Sequence, residues 1–174
     1  HEEIFSSLRH NSAPGLAGGG YGMRINNPFE DQYRAFWHQE YPAQLRSQDG
    51  LVFWSPLVPV TEDMGPVQIL RRSHVEGPLS VYNCDENDVG RVGAYLLRLH
   101  DEQKYIDKYP CIAPLTDPGD LIIMDFFLVH SSGYNRSTRS LWSMQFRYFN
   151  FSEPQGKKNS WIGSFSQGVD FKSI

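Results

Sequence analysis

Cysteine is scarce: Cys84 and Cys111 are the only two among 174 residues. Two thiols cannot build the multi-bridge framework of a small secreted domain. They read as reduced residues of a reducing compartment. A long apolar run is also missing, since no segment approaches the roughly 18 consecutive apolar residues of a membrane-spanning helix. The N-terminus lacks a basic stretch followed by an apolar core, so no secretory leader is read there and a cytoplasmic setting is expected. Positive charge is not in excess: 16 Lys and Arg stand against 20 Asp and Glu, a formal net charge of -4. That balance implies no basic face for a phosphate backbone, and nucleic acid is excluded as a first partner class.

What is abundant points to strands. Aromatics make up 14% of the chain, and 15 Gly and 11 Pro supply turns. Aromatic and β-branched residues favour pleated surfaces, whereas Gly and Pro break helices. Ser6 to Gly20 reads as coil, with Gly18-Gly19-Gly20 and no period of either kind. After it, short apolar segments alternate with turn signals: Tyr21–Ile25, Phe36–Tyr41, Leu51–Val58, Pro66–Leu70, Leu121–Met124, Phe126–His130 and Leu141–Phe149. Pro56 inside the third segment suggests a strand edge or bulge. The last segment alternates cleanly. Its even residues, Trp142, Met144, Phe146 and Tyr148, are predicted to face the core. One helix is predicted over Val92–Tyr105, with Val92, Tyr95, Leu96 and Leu99 on one face. Seven or eight short strands in one domain over 1–174 predict an all-β fold with minor helix, a sandwich or jelly roll.

Chemistry enters at Trp37-His38-Gln39-Glu40. Residues two apart on a strand share a face, so His38 and Glu40 project together. An imidazole beside a carboxylate is two thirds of the facial triad that holds non-heme Fe(II). A surface ion pair explains the same text. The missing ligand is a second histidine, and His130 is the best candidate, because it closes an apolar run and precedes a turn. A satisfied core histidine is the competing explanation. His1 and His10 lie in predicted coil, His74 in a loop and His100 on the predicted helix. Arg139 lies nine residues beyond His130, with Arg136 just before it. A planar guanidinium there suits the carboxylate of a dicarboxylic co-substrate, and a surface arginine in a turn is the alternative.

Taken in order, these segments resemble the phytanoyl-CoA dioxygenase family of Fe(II)/2-oxoglutarate oxygenases. The likeness rests on Trp37–Glu40, the Leu51–Val60 strand, Gly65–Leu70, Ser73-His74, Pro118-Gly119-Asp120, and His130–Ser137 followed by Arg139. It covers Met23 to about Tyr148. The resemblance implies a double-stranded β-helix, a cupin-like form of jelly roll. It implies Fe(II) held by His38, Glu40 and His130, 2-oxoglutarate held at its distal carboxylate by Arg139, and Trp54 lining the co-substrate pocket. An ordinary core tryptophan explains Trp54 equally well. The implied activity is hydroxylation of an unactivated C–H bond of a small molecule by O2, with succinate and CO2 as co-products. Glu40 stands where the family usually has Asp and speaks against halogenation, for which a small residue is needed. Arg71-Arg72 replaces the usual Pro-Gly, Arg139 lies closer to its histidine than is usual, and the family usually carries more chain ahead of the first histidine. Two other classes remain open: a cupin-like isomerase or epimerase, and a jelly-roll binding module without catalysis.

Overall fold

The structure is a computed structural model that describes residues 1–10, 14–43, 47–84 and 97–161. Among the described residues, nine strands and four short α-helices run in the order α1 (Glu2–Arg9), β1 (Pro14–Asn26), α2 (Glu40–Ala43), β2 (Gly50–Pro56), β3 (Val67–Leu70), β4 (Val81–Asn83), β5 (Leu97–Leu99), α3 (Glu102–Lys108), β6 (Cys111–Ile112), β7 (Ile122–Asp125), β8 (His130–Ser132), β9 (Leu141–Asn150) and α4 (Pro154–Lys158). A four-stranded sheet, β1-β9-β2-β7, faces a three-stranded sheet, β6-β3-β8, and β4 pairs with β5 apart from both. Every ladder is antiparallel. This is the expected all-β jelly roll.

The core lies between the two sheets. Val52, Trp54 and Met124 from the larger sheet meet Val67 and Ile69 from the smaller one, joined by Met64, Phe126 and Phe149. Phe126 and Phe149 are fully buried, with ring centroids 5.1 Å apart and planes near perpendicular. Each such side chain contributes roughly 1.5–3 kcal/mol by leaving water. Two glycines let the β3 entry and the β8 exit touch. A Cβ on Gly133 would lie 2.8 Å from the Gly65 Cα, and Gly65 itself adopts φ +69°.

Several sequence expectations change. Ser6 to Gly20 is not coil where it is described: Ser6–Arg9 belong to α1 and β1 begins at Pro14, while residues 11–13 lie outside the described set. Phe5 of α1 is buried against Leu51 and Phe53, and β1 gains its order from pairing with β9 rather than from its own glycine-rich side chains. The helix predicted over Val92–Tyr105 is also revised, because Leu97–Leu99 is strand and α3 starts at Glu102. Residues 92–96 of that prediction lie outside the described set. Phe36–Tyr41 is not a strand either. It makes a single bridge at His38 and then turns into α2, a short helical turn broken at Tyr41. Pro56 lies at the end of β2, paired with Ser143 of β9 but beyond the β7 ladder, which stops at Trp54, and the register there holds no bulge.

The last correction concerns β9, whose faces are reversed. Leu141, Ser143 and Phe149 are buried, while Trp142 and Met144 are each 37% exposed. Phe146 and Tyr148 sit on the outer face with α1. The inward face of this strand carries polar residues, so the larger apolar side chains do not mark the inside. Cys84 and Cys111 are free and exposed, and no described helix is long and apolar enough to cross a membrane.

Candidate metal centre

Backbone pairing brings the two histidines together. The His38 amide donates to the His130 carbonyl and the His130 amide to the His38 carbonyl, each at 3.0 Å. This isolated antiparallel bridge stitches the chain before α2 to the start of β8. The imidazole centroids then lie 4.3 Å apart. Each ring is fixed in the same way: Nδ1 of His38 donates to the Phe36 carbonyl at 2.7 Å, and Nδ1 of His130 to the Leu128 carbonyl at 2.8 Å. With the proton on Nδ1, each Nε2 keeps a lone pair for a ligand. Gln39 between the ligand candidates serves the scaffold. Its amide donates to the Gly77 and Phe127 carbonyls and accepts from the Leu79 amide.

Glu40 completes the cluster. Ligand atoms of His38, Glu40 and His130 all lie within 4.8 Å of one another, and the three residues are buried. Glu40 Oε1 is 3.6 Å from His130 Nε2. Its carboxylate also receives Arg147, from Nε to Oε2 at 2.7 Å and from the terminal nitrogen to Oε1 at 3.0 Å. Burial pushes the Glu40 carboxyl up, yet the Arg147 guanidinium and its hydrogen bonds, with the His130 ring close by, hold it well below the usual carboxylate range. Burial, reinforced by His130, lowers His38 from 6.5 to about 3, so its ring is neutral at physiological pH. A neutral His38 imidazole and an ionised Glu40 carboxylate are donor states that suit a divalent transition metal. Two nitrogens and one oxygen match the facial-triad donor set.

These groups line a cavity of about 310 Å³ together with Arg24, Trp54, Ser143 and Gln145. That volume is enough for a small organic ligand. Trp54, 5% exposed, belongs both to the cavity wall and to the core. Arg139 does not line the cavity. It is exposed, with a guanidinium nitrogen 3.5 Å from Met64 Sδ. Arg136 is exposed too, stacked over Tyr134. The loop holding both is organised by Asn135, which donates to the Asn26 and Arg139 carbonyls and accepts from Ser137. Sequence reasoning missed Arg24 and Arg147, the arginines that do line the cavity. The signal for Arg147 was the β9 alternation, read with the opposite face inward.

A jelly roll with two histidines and one carboxylate at the mouth of its inner cavity defines a class, the mononuclear metal-site β-helices. Residues 25–140, about two thirds of the chain, match the model of the phytanoyl-CoA dioxygenase (PhyH) family. The chain belongs to that family. Among solved structures it is similar to EctD from S. alaskensis with 2-oxoglutarate and 5-hydroxyectoine, at 15% identity and a TM-score of 0.65, over 87% of this chain and 49% of that one. The same enzyme with bound Fe matches at 16% identity and a TM-score of 0.62, over 88% and 52%. EvdO2 from Micromonospora carbonacea var. aurantiaca matches at 21% identity and a TM-score of 0.59, over 84% and 57%. The chain therefore spans about half the length of these structures. No curated protein sequence matches it.

Proposed function

We propose that this chain is the catalytic core of a non-heme Fe(II)- and 2-oxoglutarate-dependent oxygenase that hydroxylates an unactivated C–H bond of a small molecule. The observation that carries the reading is the His38, Glu40 and His130 cluster, buried and open to a cavity. His38 and His130 would hold the iron through Nε2 and Glu40 through Oε1. Bound there, iron and 2-oxoglutarate supply the activation of O2, with succinate and CO2 as co-products.

The chain's own residues account for selectivity toward an anionic co-substrate. Arg24 and Arg147 stand against Glu40 as the charged residues lining the cavity, a positive excess before any metal enters. A dicarboxylate offsets that excess, and a guanidinium binds a carboxylate with a planar fork. Arg147 already engages Glu40. Arg24, on β1 opposite Ser143 and donating from one terminal nitrogen to the Tyr33 carbonyl at 2.9 Å, is the cavity arginine assigned to the far carboxylate. Arg139 would have to leave Met64 and turn inward from the rim. Trp54 and the buried aliphatic wall of Val52, Val67 and Met124 keep bulk water from the reacting volume.

The reading is tested by following 2-oxoglutarate consumption and succinate release with Fe(II) and O2, across amino-acid, terpenoid and acyl substrates. Stoichiometric succinate that His130→Ala abolishes supports it. A folded protein that binds Fe(II) yet leaves 2-oxoglutarate untouched with every substrate, and never binds it, contradicts it. In the same assay Arg24→Ala should raise the KM for 2-oxoglutarate at least about tenfold, as expected for losing a charge-assisted carboxylate contact. Arg139→Ala should change it less. The reverse order would return the carboxylate to Arg139.

A further inference from the structure

We propose that Arg147 is a positioning residue for the metal centre: it grips Glu40 by Oε2 so that Oε1 faces the two imidazoles. The inference rests on the metal-centre reading given above. A glutamate has three side-chain torsions, and ordering a chain of that length is entropically unfavourable unless something fixes its far end. In this site the far end is fixed twice. The shorter bond, Nε to Oε2 at 2.7 Å, is made to the oxygen that does not face His130. The longer bond, at 3.0 Å, reaches Oε1, the oxygen that lies 3.6 Å from His130 Nε2. A cation entering between the imidazoles would take Oε1, and the Nε–Oε2 bond can persist behind it.

Arg147 is itself held. Its terminal nitrogen donates to Gln145 Oε1 at 2.8 Å, two residues away on the same strand face. Its side chain is 14% exposed, and its strand is paired on both sides, with Val52 of β2 directly opposite. Gln145, Arg147 and Glu40 thus form a fixed relay into the cavity wall. Lysine cannot replace the planar fork, because an ammonium is a point charge on a flexible stem. A guanidinium beside a metal also repels it, an effect opposite in sign to the gain from an oriented ligand. If holding Glu40 dominates, removing Arg147 weakens metal binding. If repulsion dominates, removing it tightens binding.

The test is a titration with Co(II) alone, without co-substrate, followed by ligand-field absorption. It compares wild type, Arg147→Lys, Arg147→Met, Gln145→Leu, Glu40→Asp, and Glu40→Asp with Arg147→Met. Arg147→Met should raise the Kd roughly 10- to 100-fold, the usual effect of losing the partner that orients a ligand. Arg147→Lys should recover only a minor part, and the Co(II) band should shift in both. The shorter Glu40→Asp side chain is retracted from the fork, so adding Arg147→Met to it should cost less than about threefold, a non-additivity that general damage would not produce. If Arg147→Met does not fold, Gln145→Leu carries the test, with a several-fold loss expected. Equal or tighter Co(II) binding by the Arg147 variants overturns the inference, as does the same loss in the Glu40 and Glu40→Asp backgrounds. Wild type that takes up no Co(II) overturns the metal-centre reading itself, and the positioning role with it.

Discussion

The Glu40–Arg147 pair should be a liability for stability, and the liability can be measured in the metal-free protein. Glu40 is buried and Arg147 half-buried, at 3% and 14% side-chain exposure. Glu40→Leu removes the carboxylate and strips Arg147 of two hydrogen bonds and its counter-charge. Leaving one member of a buried ion pair behind costs about 3–5 kcal/mol. For a chain of this length each kcal/mol moves Tm by about 2–4 °C, so Glu40→Leu should melt about 6–20 °C lower. The double variant, with Arg147→Met added, removes both charges and fills the space with apolar atoms. Such replacements are neutral or stabilising by about 1–4 kcal/mol. The double variant should therefore recover to within about 1 kcal/mol of wild type or exceed it. Urea unfolding in EDTA, followed by tryptophan fluorescence, reports both, because Trp54 lies in the core beside the pair. The reasoning fails if Glu40→Leu stays within about 1 kcal/mol of wild type, or if the double variant is as unstable as the single one. Recovery would mean that the pair is kept for the chemistry of the cavity rather than for folding.

Two further outcomes follow from the same geometry. His38 titrates near 3 in the folded protein against 6.5 unfolded, so the unfolded chain takes up a proton first as pH falls. Stability of the metal-free protein should be flat with respect to His38 above pH 6.5 and decline below it, by up to about 1.4 kcal/mol per pH unit. Urea midpoints at pH 8 and pH 5 check this, and His38→Gln should remove His38's share of the slope. Gly133→Ala places a Cβ 2.8 Å from the Gly65 backbone. Overpacking of that kind costs about 1–3 kcal/mol, read as a lower Tm, and a substitution tolerated without loss would show that the β3 entry and the β8 exit can separate.

How much was legible in the sequence depended on what each residue packs against. The strands at Leu51, Val67 and Ile122 stood out because both flanks carry turn signals and their inward sides are apolar. His38, Glu40 and His130 were legible as candidates from residue type and context. Their meeting was not, since it depends on the reciprocal His38–His130 bridge between distant segments. Arg147 stayed hidden for a physical reason. β9 turns Ser143, Gln145 and Arg147 toward a polar cavity, so hydrophobicity pointed to the wrong face. Phe146 and Tyr148 found their apolar partner in α1, a helix whose second half, Ser6–Arg9, reads as coil from sequence alone. At Arg139 the sequence and the structure point different ways. Its place after His130 suits a carboxylate, but Asn135 and Ser137 fold the loop so that its guanidinium rests on Met64 at the surface.

The central claim is that His38, Glu40 and His130 hold iron in a cavity that also takes 2-oxoglutarate. The most direct measurement mixes anaerobic protein with Fe(II) and 2-oxoglutarate and records the weak visible charge-transfer band of the chelated complex, for wild type beside Glu40→Ala and His130→Ala. The account predicts a band in wild type that both substitutions abolish. A wild-type protein that stays colourless, and binds neither Fe(II) nor 2-oxoglutarate by titration, would contradict it.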